Sequence, residues 1–164
     1  MNPMVNSKYW MAFVDTVANA STCRKKLGAV LVMDKHIIGI GYTGSVSGDQ
    51  HCIGDNCLLV PNNNSYGSGD KGSCIRTMHA EMNAVLNIQY PLYTKNRNDR
   101  YIICYSTYQP CLSCFKVLLQ LGVKEFVYKN SYIDLNRDKY IDNLSNNVLK
   151  SFNMIHFWED LNGQ

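Results

Sequence analysis

The sequence predicts an α/β protein, a three-layer αβα sandwich built on a mixed sheet of about five strands. Three observations predict it. Short β-branched and aliphatic runs alternate with longer stretches of helical spacing, in the order α-β-β-α-β-α-β-α-β. The first two strands are separated only by Asp34-Lys35, a hairpin turn, and so pair antiparallel; each later strand follows a helix, which implies crossover connections and parallel pairing. The chain has 164 residues, 46% of them hydrophobic and 18% charged, which fits one domain (residues 1–164) able to bury a core without covalent staples. No repeat, linker or second domain interrupts it.

Residues 7–20 place Tyr9, Trp10, Phe13, Val14 and Val17 on one stripe, the signature of an opening helix. Leu27–Met33 reads as the first strand and Ile37–Tyr42 as its hairpin partner. Residues 43–76 break the pattern. Gly, Ser, Asn and Asp dominate there, with Pro61 inside, and so long an aperiodic stretch reads as a loop insertion, either functional or disordered. Met78–Gln89 carries Met78, Met82, Val85 and Leu86 at helical spacing and is stopped by Pro91. Arg100–Thr107 is a strand. Pro110 then opens a second crossover helix from the first-turn position that suits proline, and Gly122 caps its far end. Val123–Tyr128 is a strand, residues 135–151 are helical, and Met154–Trp158 is the last short strand.

Sixteen Lys and Arg stand against 13 Asp and Glu, a formal net charge of +3. So small an excess argues against a protein that grips nucleic acid by charge, while leaving room for a small anion held by two or three groups. No run approaches the roughly 20 apolar residues of a membrane span. The N-terminal segment is not a signal peptide, because it lacks a basic start and Asp15 and Asn19 interrupt its apolar residues. The expected location is the cytoplasm, or the host cytoplasm for a virus-encoded protein.

Seven cysteines, Cys23, Cys52, Cys57, Cys74, Cys104, Cys111 and Cys114, form a large and odd set. In a reducing compartment such a set points to metal or catalysis before disulfides, and pairing would leave one thiol over. Cys104 falls within a strand and reads as core.

His79-Ala80-Glu81 opens the first crossover helix, and Pro110-Cys111-Leu112-Ser113-Cys114 opens the second. Two thiolates three residues apart at a helix start grip one ion from one side, and the helix N-terminus favours the thiolate form. An imidazole from the neighbouring helix supplies a third ligand. Three protein ligands leave one tetrahedral position of a zinc ion open to water, the pattern of a catalytic site. Glu81 is not needed as a ligand and stands where a proton shuttle would work. A structural zinc site is the competing reading.

This H-x-E…P-C-x-x-C pattern resembles the cytidine and deoxycytidylate deaminase superfamily. The resemblance runs from about Ser7 to Trp158. Gly28-Ala29-Val30, Gly41-Tyr42-Thr43-Gly44-Ser45, the cysteine-bearing loop and Cys74-Ile75-Arg76-Thr77 make it most similar to the phage and bacterial deoxycytidylate (dCMP) deaminases. The resemblance implies His79, Cys111 and Cys114 as ligands of a catalytic Zn2+. It also implies attack of an activated water on C4 of cytosine, with Glu81 protonating N3 and helping ammonia leave. The product would be dUMP, which feeds thymidylate synthesis.

The Ala80 N–H is the candidate contact to the pyrimidine edge. Thr43 stands where the branch usually has a sugar-binding Asn. Asn83, one turn beyond His79, and Tyr132, after the fourth strand, are further substrate-binding candidates, each with an ordinary surface or capping role as its alternative. Arg24, Lys25, Lys26 and Arg76 are the candidate cations for the 5′-phosphate, and Lys95, Arg97 and Arg100 read as a solvated loop. Four cysteines outside the motif, Cys23, Cys52, Cys57 and Cys74, suit a second, closed zinc site of the kind some members carry, with His51 as a substitute ligand and core packing as the bland alternative. The branch is often regulated by dCTP (activator) and dTTP (inhibitor) with Mg2+. Gly44, Ser45 and Gly48 lie in the segment resembling the effector site, although Val46 replaces a usual proline. A homo-oligomer, commonly a hexamer, is expected. Neither nucleic acid nor membrane is an expected partner.

Two rival functions remain open at this stage. One is a nucleoside cytidine deaminase or a nucleic-acid deaminase, against which the small net charge leans. The other is an inactive zinc-containing binding or regulatory module, against which Glu81 speaks.

Overall fold

A computed structural model describes residues 3–60, 72–92, 96 and 99–157 of the chain. It opens with α1 (Pro3–Ala18), followed by β1 (Gly28–Met33) and β2 (His36–Tyr42). Asp34 and Lys35, at φ 52° and 65°, make the tight turn between the strands. The residues expected to form a long loop contain three short strands, β3 (Gly44–Ser45), β4 (Leu59–Val60) and β5 (Ser73–Cys74), and β6 (Thr77–Met78) follows directly. β3 pairs with β6, and β4 with β5, both antiparallel. The middle of that segment, residues 61–71, lies outside the described residues, as do Lys95, Arg97 and Trp158.

The second half contains α2 (Ala80–Leu86), β7 (Ile102–Tyr108), α3 (Leu112–Leu121), β8 (Val123–Asn130), α4 (Leu135–Asp142), α5 (Asn146–Leu149) and β9 (Asn153–His156). The five-stranded sheet has the order β2-β1-β7-β8-β9. β1 is antiparallel to both its neighbours, whereas β7, β8 and β9 run parallel, so the expected mixed sheet is present.

Every residue of β1 is buried because helices cover both faces of the sheet. Val30 and Val32 point to one face and pack with Met11, Val14 and Val17 of α1, and with Tyr105 and Val127. Ala29, Leu31 and Met33 point to the other, against Ala80 and Ala84 of α2 and Phe115 and Leu118 of α3. α1 thus forms one outer layer and the remaining helices the other.

Three expected boundaries shift, each for a local reason. The helix expected over Met78–Gln89 begins only at Ala80, because Met78 pairs with Gly44 in the β3–β6 ladder and His79 is extended (φ −71°, ψ 149°). Pro110 does not sit in the first turn of α3: Cys111 is the N-cap, so the helix begins at Leu112. Gly122 ends it in the left-handed conformation (φ 103°), as expected. The helix expected over 135–151 divides into α4 and α5, with Ser145 as the N-cap of the second.

Candidate metal centre and active site

The N-termini of α2 and α3 bring the two halves of the motif together. His79 caps α2 and Cys111 caps α3, so neither residue is part of its helix, and both side chains are free of capping bonds. His79 Nδ1 lies 3.4 Å from Cys111 Sγ and 3.4 Å from Cys114 Sγ. All three ligand atoms lie within 4.8 Å of one another. Ligands at zinc–sulfur and zinc–nitrogen distances would stand about 3.5 Å apart around a tetrahedral ion. The donor set therefore fits zinc in type and in spacing. Cys114 is buried, Cys111 half-buried and His79 exposed, so the cluster is closed on the protein side and open on one other.

The ionisation pattern without metal follows from this proximity. Hydrogen bonding from Cys114 and from His79 lowers the Cys111 thiol to about 4, so it is a thiolate at neutral pH. The same bond to Cys111, together with burial, pushes the Cys114 thiol far up. The bond to Cys111 raises the His79 imidazole, against the opposing effect of burial.

Glu81 is 8% exposed in the first turn of α2. Burial raises its carboxyl above the usual range, and the buried Cys104 thiol on β7 is among its neighbours. A buried carboxyl with a raised pKa beside a metal-ligand cluster is suited to take and return a proton. The clustered ligand atoms are those of His79, Cys111 and Cys114, and Glu81 is not among them.

Other expected site residues fall into different places. Ala80 is buried at the first turn of α2. The Asn83 side chain donates to the Tyr42 carbonyl (2.8 Å), which fastens α2 to the end of β2. Thr43, expected at the sugar, is 3% exposed. Its hydroxyl donates to the Lys25 carbonyl (2.8 Å), accepts from Leu27 N–H (3.1 Å) and lies 2.8 Å from Ser21 Oγ. Its one proton goes to the Lys25 carbonyl, and the Ser21 hydroxyl donates to the Thr43 carbonyl at 2.6 Å, so Thr43 ties these segments together.

Tyr132 is half-buried just past β8, at the carboxyl end of the parallel strands. Gly44 and Ser45 form β3, beside the strand that leads into His79. Gly48 (φ 88°) occupies the exposed turn closed by Asp49 N–H to the Val46 carbonyl. Of the candidate phosphate cations, Arg24 donates to the Gly72 carbonyl and Arg76 is paired with Asp49 (2.6 Å), so both have structural partners.

Three of the four remaining motif-free cysteines converge. The thiols of Cys52, Cys57 and Cys74 lie within 4.8 Å of one another, with Cys52 and Cys74 3.7 Å apart. Cys23 stands beside this group: its thiol and that of Cys52 approach the Thr77 hydroxyl at 3.6 and 3.5 Å. Burial opposes the Cys74 thiolate, but hydrogen bonds from Thr77, Arg76 N–H and Cys52 bring its pKa to about 7. His51 is exposed and outside the group.

Two residues that sequence reasoning passed over hold the turn of Cys111. Asp134 accepts from Leu112 N–H (2.8 Å) and also caps α4 through Asn136 and Arg137 N–H. Arg137, 2% exposed, donates to the Pro110 carbonyl (3.0 Å) and the Tyr132 carbonyl (2.8 Å), and contacts Asp138. Asp134 carries the local signal of an N-cap. Its second bond crosses 22 residues and leaves no local trace.

The family model for the cytidine and deoxycytidylate deaminase zinc-binding region matches residues 4–130. ComE operon protein 2 of Bacillus subtilis is 35% identical over 128 residues, covering 77% of this chain and 60% of that protein. Deoxycytidylate deaminase of Mycobacterium phage D29 is 31% identical over 125 residues, covering 74% of this chain and 91% of the phage protein. The chain spans 37–60% of the length of the first curated relatives it matches. Among solved structures, the dCMP deaminase from cyanophage S-TIM5 in complex with dCMP and dUMP superposes with a TM-score of 0.66 at 24% identity, covering 96% of this chain and 99% of that one. At that identity the likeness is one of fold.

Proposed function

The chain belongs to the cytidine and deoxycytidylate deaminase family, and from that premise we propose that it hydrolyses dCMP to dUMP and ammonia with a catalytic zinc ion. The observation that carries this reading is the meeting of His79 Nδ1 with the thiols of Cys111 and Cys114, beside a buried carboxyl outside the ligand set. The phage relatives named deoxycytidylate deaminase support the choice of dCMP over a nucleoside or a nucleic acid.

His79, Cys111 and Cys114 would hold the ion, which when bound supplies Lewis-acid activation of a water. Glu81 takes a proton from that water and delivers it to N3 of cytosine as the water oxygen adds to C4. It would then take the remaining proton from the oxygen added at C4 and pass it to the departing amine, so that water and dCMP become dUMP and ammonia. The raised pKa of Glu81 suits a group that must both accept and release a proton in one cycle. Ala80 N–H faces the pyrimidine edge in this reading. Asn83 acts by holding α2 on β2, and Tyr132 stands toward the phosphate end, at the carboxyl ends of the strands.

A second zinc would be held by Cys52, Cys57 and Cys74, with Cys23 as the fourth ligand in preference to the exposed His51. Such an ion would pin the β4–β5 ladder to the segments that carry Cys52 and Cys23. Regulation by dCTP and dTTP with Mg2+ at Gly44, Ser45 and Gly48, in a homo-oligomer, is supported by the open space around both glycines. Ammonia release from dCMP and from deoxycytidine, each with and without Mg·dCTP and with dTTP, tests the whole reading. Turnover of dCMP is the expected result. Turnover of deoxycytidine alone would move the chain to the nucleoside branch, and turnover of neither by zinc-loaded protein would sink the proposed reaction.

A further inference from the structure

Cys111 is flanked by two backbone polar groups, the Pro110 carbonyl before it and the Leu112 N–H after it. Both are held from one segment, the loop and first turn at residues 132–138. Asp134 Oδ2 accepts from Leu112 N–H at 2.8 Å, and Arg137 Nη1 donates to the Pro110 carbonyl at 3.0 Å. The two holders are fixed in turn. Asp134 Oδ1 accepts the Asn136 and Arg137 amides at the start of α4, while Arg137 Nη2 donates to the Tyr132 carbonyl and to Asp138.

Arg137 is 2% exposed. Burying a guanidinium is costly unless its donors are met, so its position is set by this acceptor set and not by solvent. Cys111 makes no side-chain capping bond of its own, and its extended backbone (φ −67°, ψ 168°) aims its thiol at His79. The capping work that a Ser or Asp would do at that position is done from α4 by Asp134.

We propose that Asp134 and Arg137 are positioning residues of the zinc centre, gripping the two peptide groups around Cys111 so that its thiolate is pre-aimed at the ion. The inference rests on the reading of His79, Cys111 and Cys114 as zinc ligands. Partners that orient metal ligands typically affect metal affinity by about 10–100-fold. The capping of α4 and the aiming of Cys111 are separable. Serine at position 134 can still cap α4 but is too short to reach across to Leu112.

The test is zinc release from the loaded full-length chain into excess chromogenic chelator. Cys114→Ser identifies the release phase of this centre by removing it. Asp134→Ser is expected to speed that phase about 10-fold or more, and Arg137→Lys to speed it in the same direction. The melting temperature of zinc-free Asp134→Ser should hardly move, whereas Arg137→Lys, which leaves acceptors of the buried guanidinium unmet, should lower it. Unchanged release in both variants overturns the proposal. Faster release from Asp134→Ser matched by a large fall in its zinc-free melting temperature also overturns it, because that residue would then serve general stability. If the unmodified chain holds no zinc that Cys114→Ser removes, the reading of the centre fails and this inference falls with it. Normal dCMP turnover and zinc content, with normal release from both variants, would cost the inference alone.

Discussion

Gly41 of β2 lies against the carbonyl of Ala80, so close that a Cβ at Gly41 would collide with it and with the Ala84 amide. The first turn of α2, which carries Glu81 and follows His79, therefore rests directly on strand backbone. The absence of a side chain at this point sets the height of α2 above the sheet.

Gly41→Ala should force α2 away from β2. Overpacking of this kind costs about 1–3 kcal/mol, and because the colliding partners are backbone atoms the loss should lie toward the upper end. The melting temperature falls, and turnover falls with it, because His79 and Glu81 move relative to Cys111. Gly44→Ala provides the comparison for stability, since nothing lies within 4 Å of a Cβ built there. Equal melting temperatures for the two variants would show that β2 and α2 separate without cost.

Glu81→Gln tests the division between holding metal and moving protons. Glutamine keeps the size and polarity of the buried side chain but cannot carry the proton. Zinc content should match that of the unmodified chain, because Glu81 is not in the ligand cluster. Turnover should fall by at least about 10²–10⁴-fold, the usual contribution of a general acid–base. Paired metal analysis and ammonia release check this, and retained turnover would remove Glu81 from the mechanism.

The parts of this site that were legible in the sequence are those in which one local spacing did the work. His79-Ala80-Glu81 and Cys111 with Cys114 each sit at a helix N-terminus after a strand, so their chemistry follows from residue type and position. The strands were legible for the same reason: β1 is an unbroken apolar run because both its faces are covered. What was not legible depended on distant partners. Met78 reads as helical until its pairing with Gly44 is seen. The second bond of Asp134 and the acceptors of Arg137 belong to tertiary structure, and nothing in the sequence near position 134 announces Leu112.

Two zinc ions per chain are expected from metal analysis of the holo protein. Cys57→Ser or Cys74→Ser should reduce the count to one and leave the catalytic ion in place, because their thiols belong to a cluster separate from that of His79, Cys111 and Cys114. Cys23→Ser should weaken the second ion, as its thiol lies beside Cys52 across the Thr77 hydroxyl, whereas His51→Ala should not. A count of one in the unmodified chain would leave these cysteines as packing residues.

Thr43 gives the last prediction, and it separates a sugar contact from a structural anchor. Its hydroxyl donates to the Lys25 carbonyl and accepts from Leu27 N–H, and its backbone N–H donates to the Leu27 carbonyl. These bonds tie the segment before β1 to the segment after β2. Thr43→Val keeps the shape of the side chain and removes every hydroxyl bond, leaving the Lys25 carbonyl and Leu27 N–H short of a partner. Leaving buried groups unmet costs about 1–3 kcal/mol, and since these bonds are partly buried the loss should lie toward the lower end. Thr43→Ser keeps the hydroxyl and loses one methyl, so it should retain most of the stability. The anchor therefore predicts an order in melting temperature of Thr, then Ser, then Val, with the KM for dCMP of the Ser variant unchanged. A sugar contact predicts the opposite weighting: KM rising sharply for Val while its melting temperature stays with the unmodified chain. Measuring both quantities on the same two variants decides between them, and the bonds of Thr43 Oγ1 to the Lys25 carbonyl and Leu27 N–H favour the anchor.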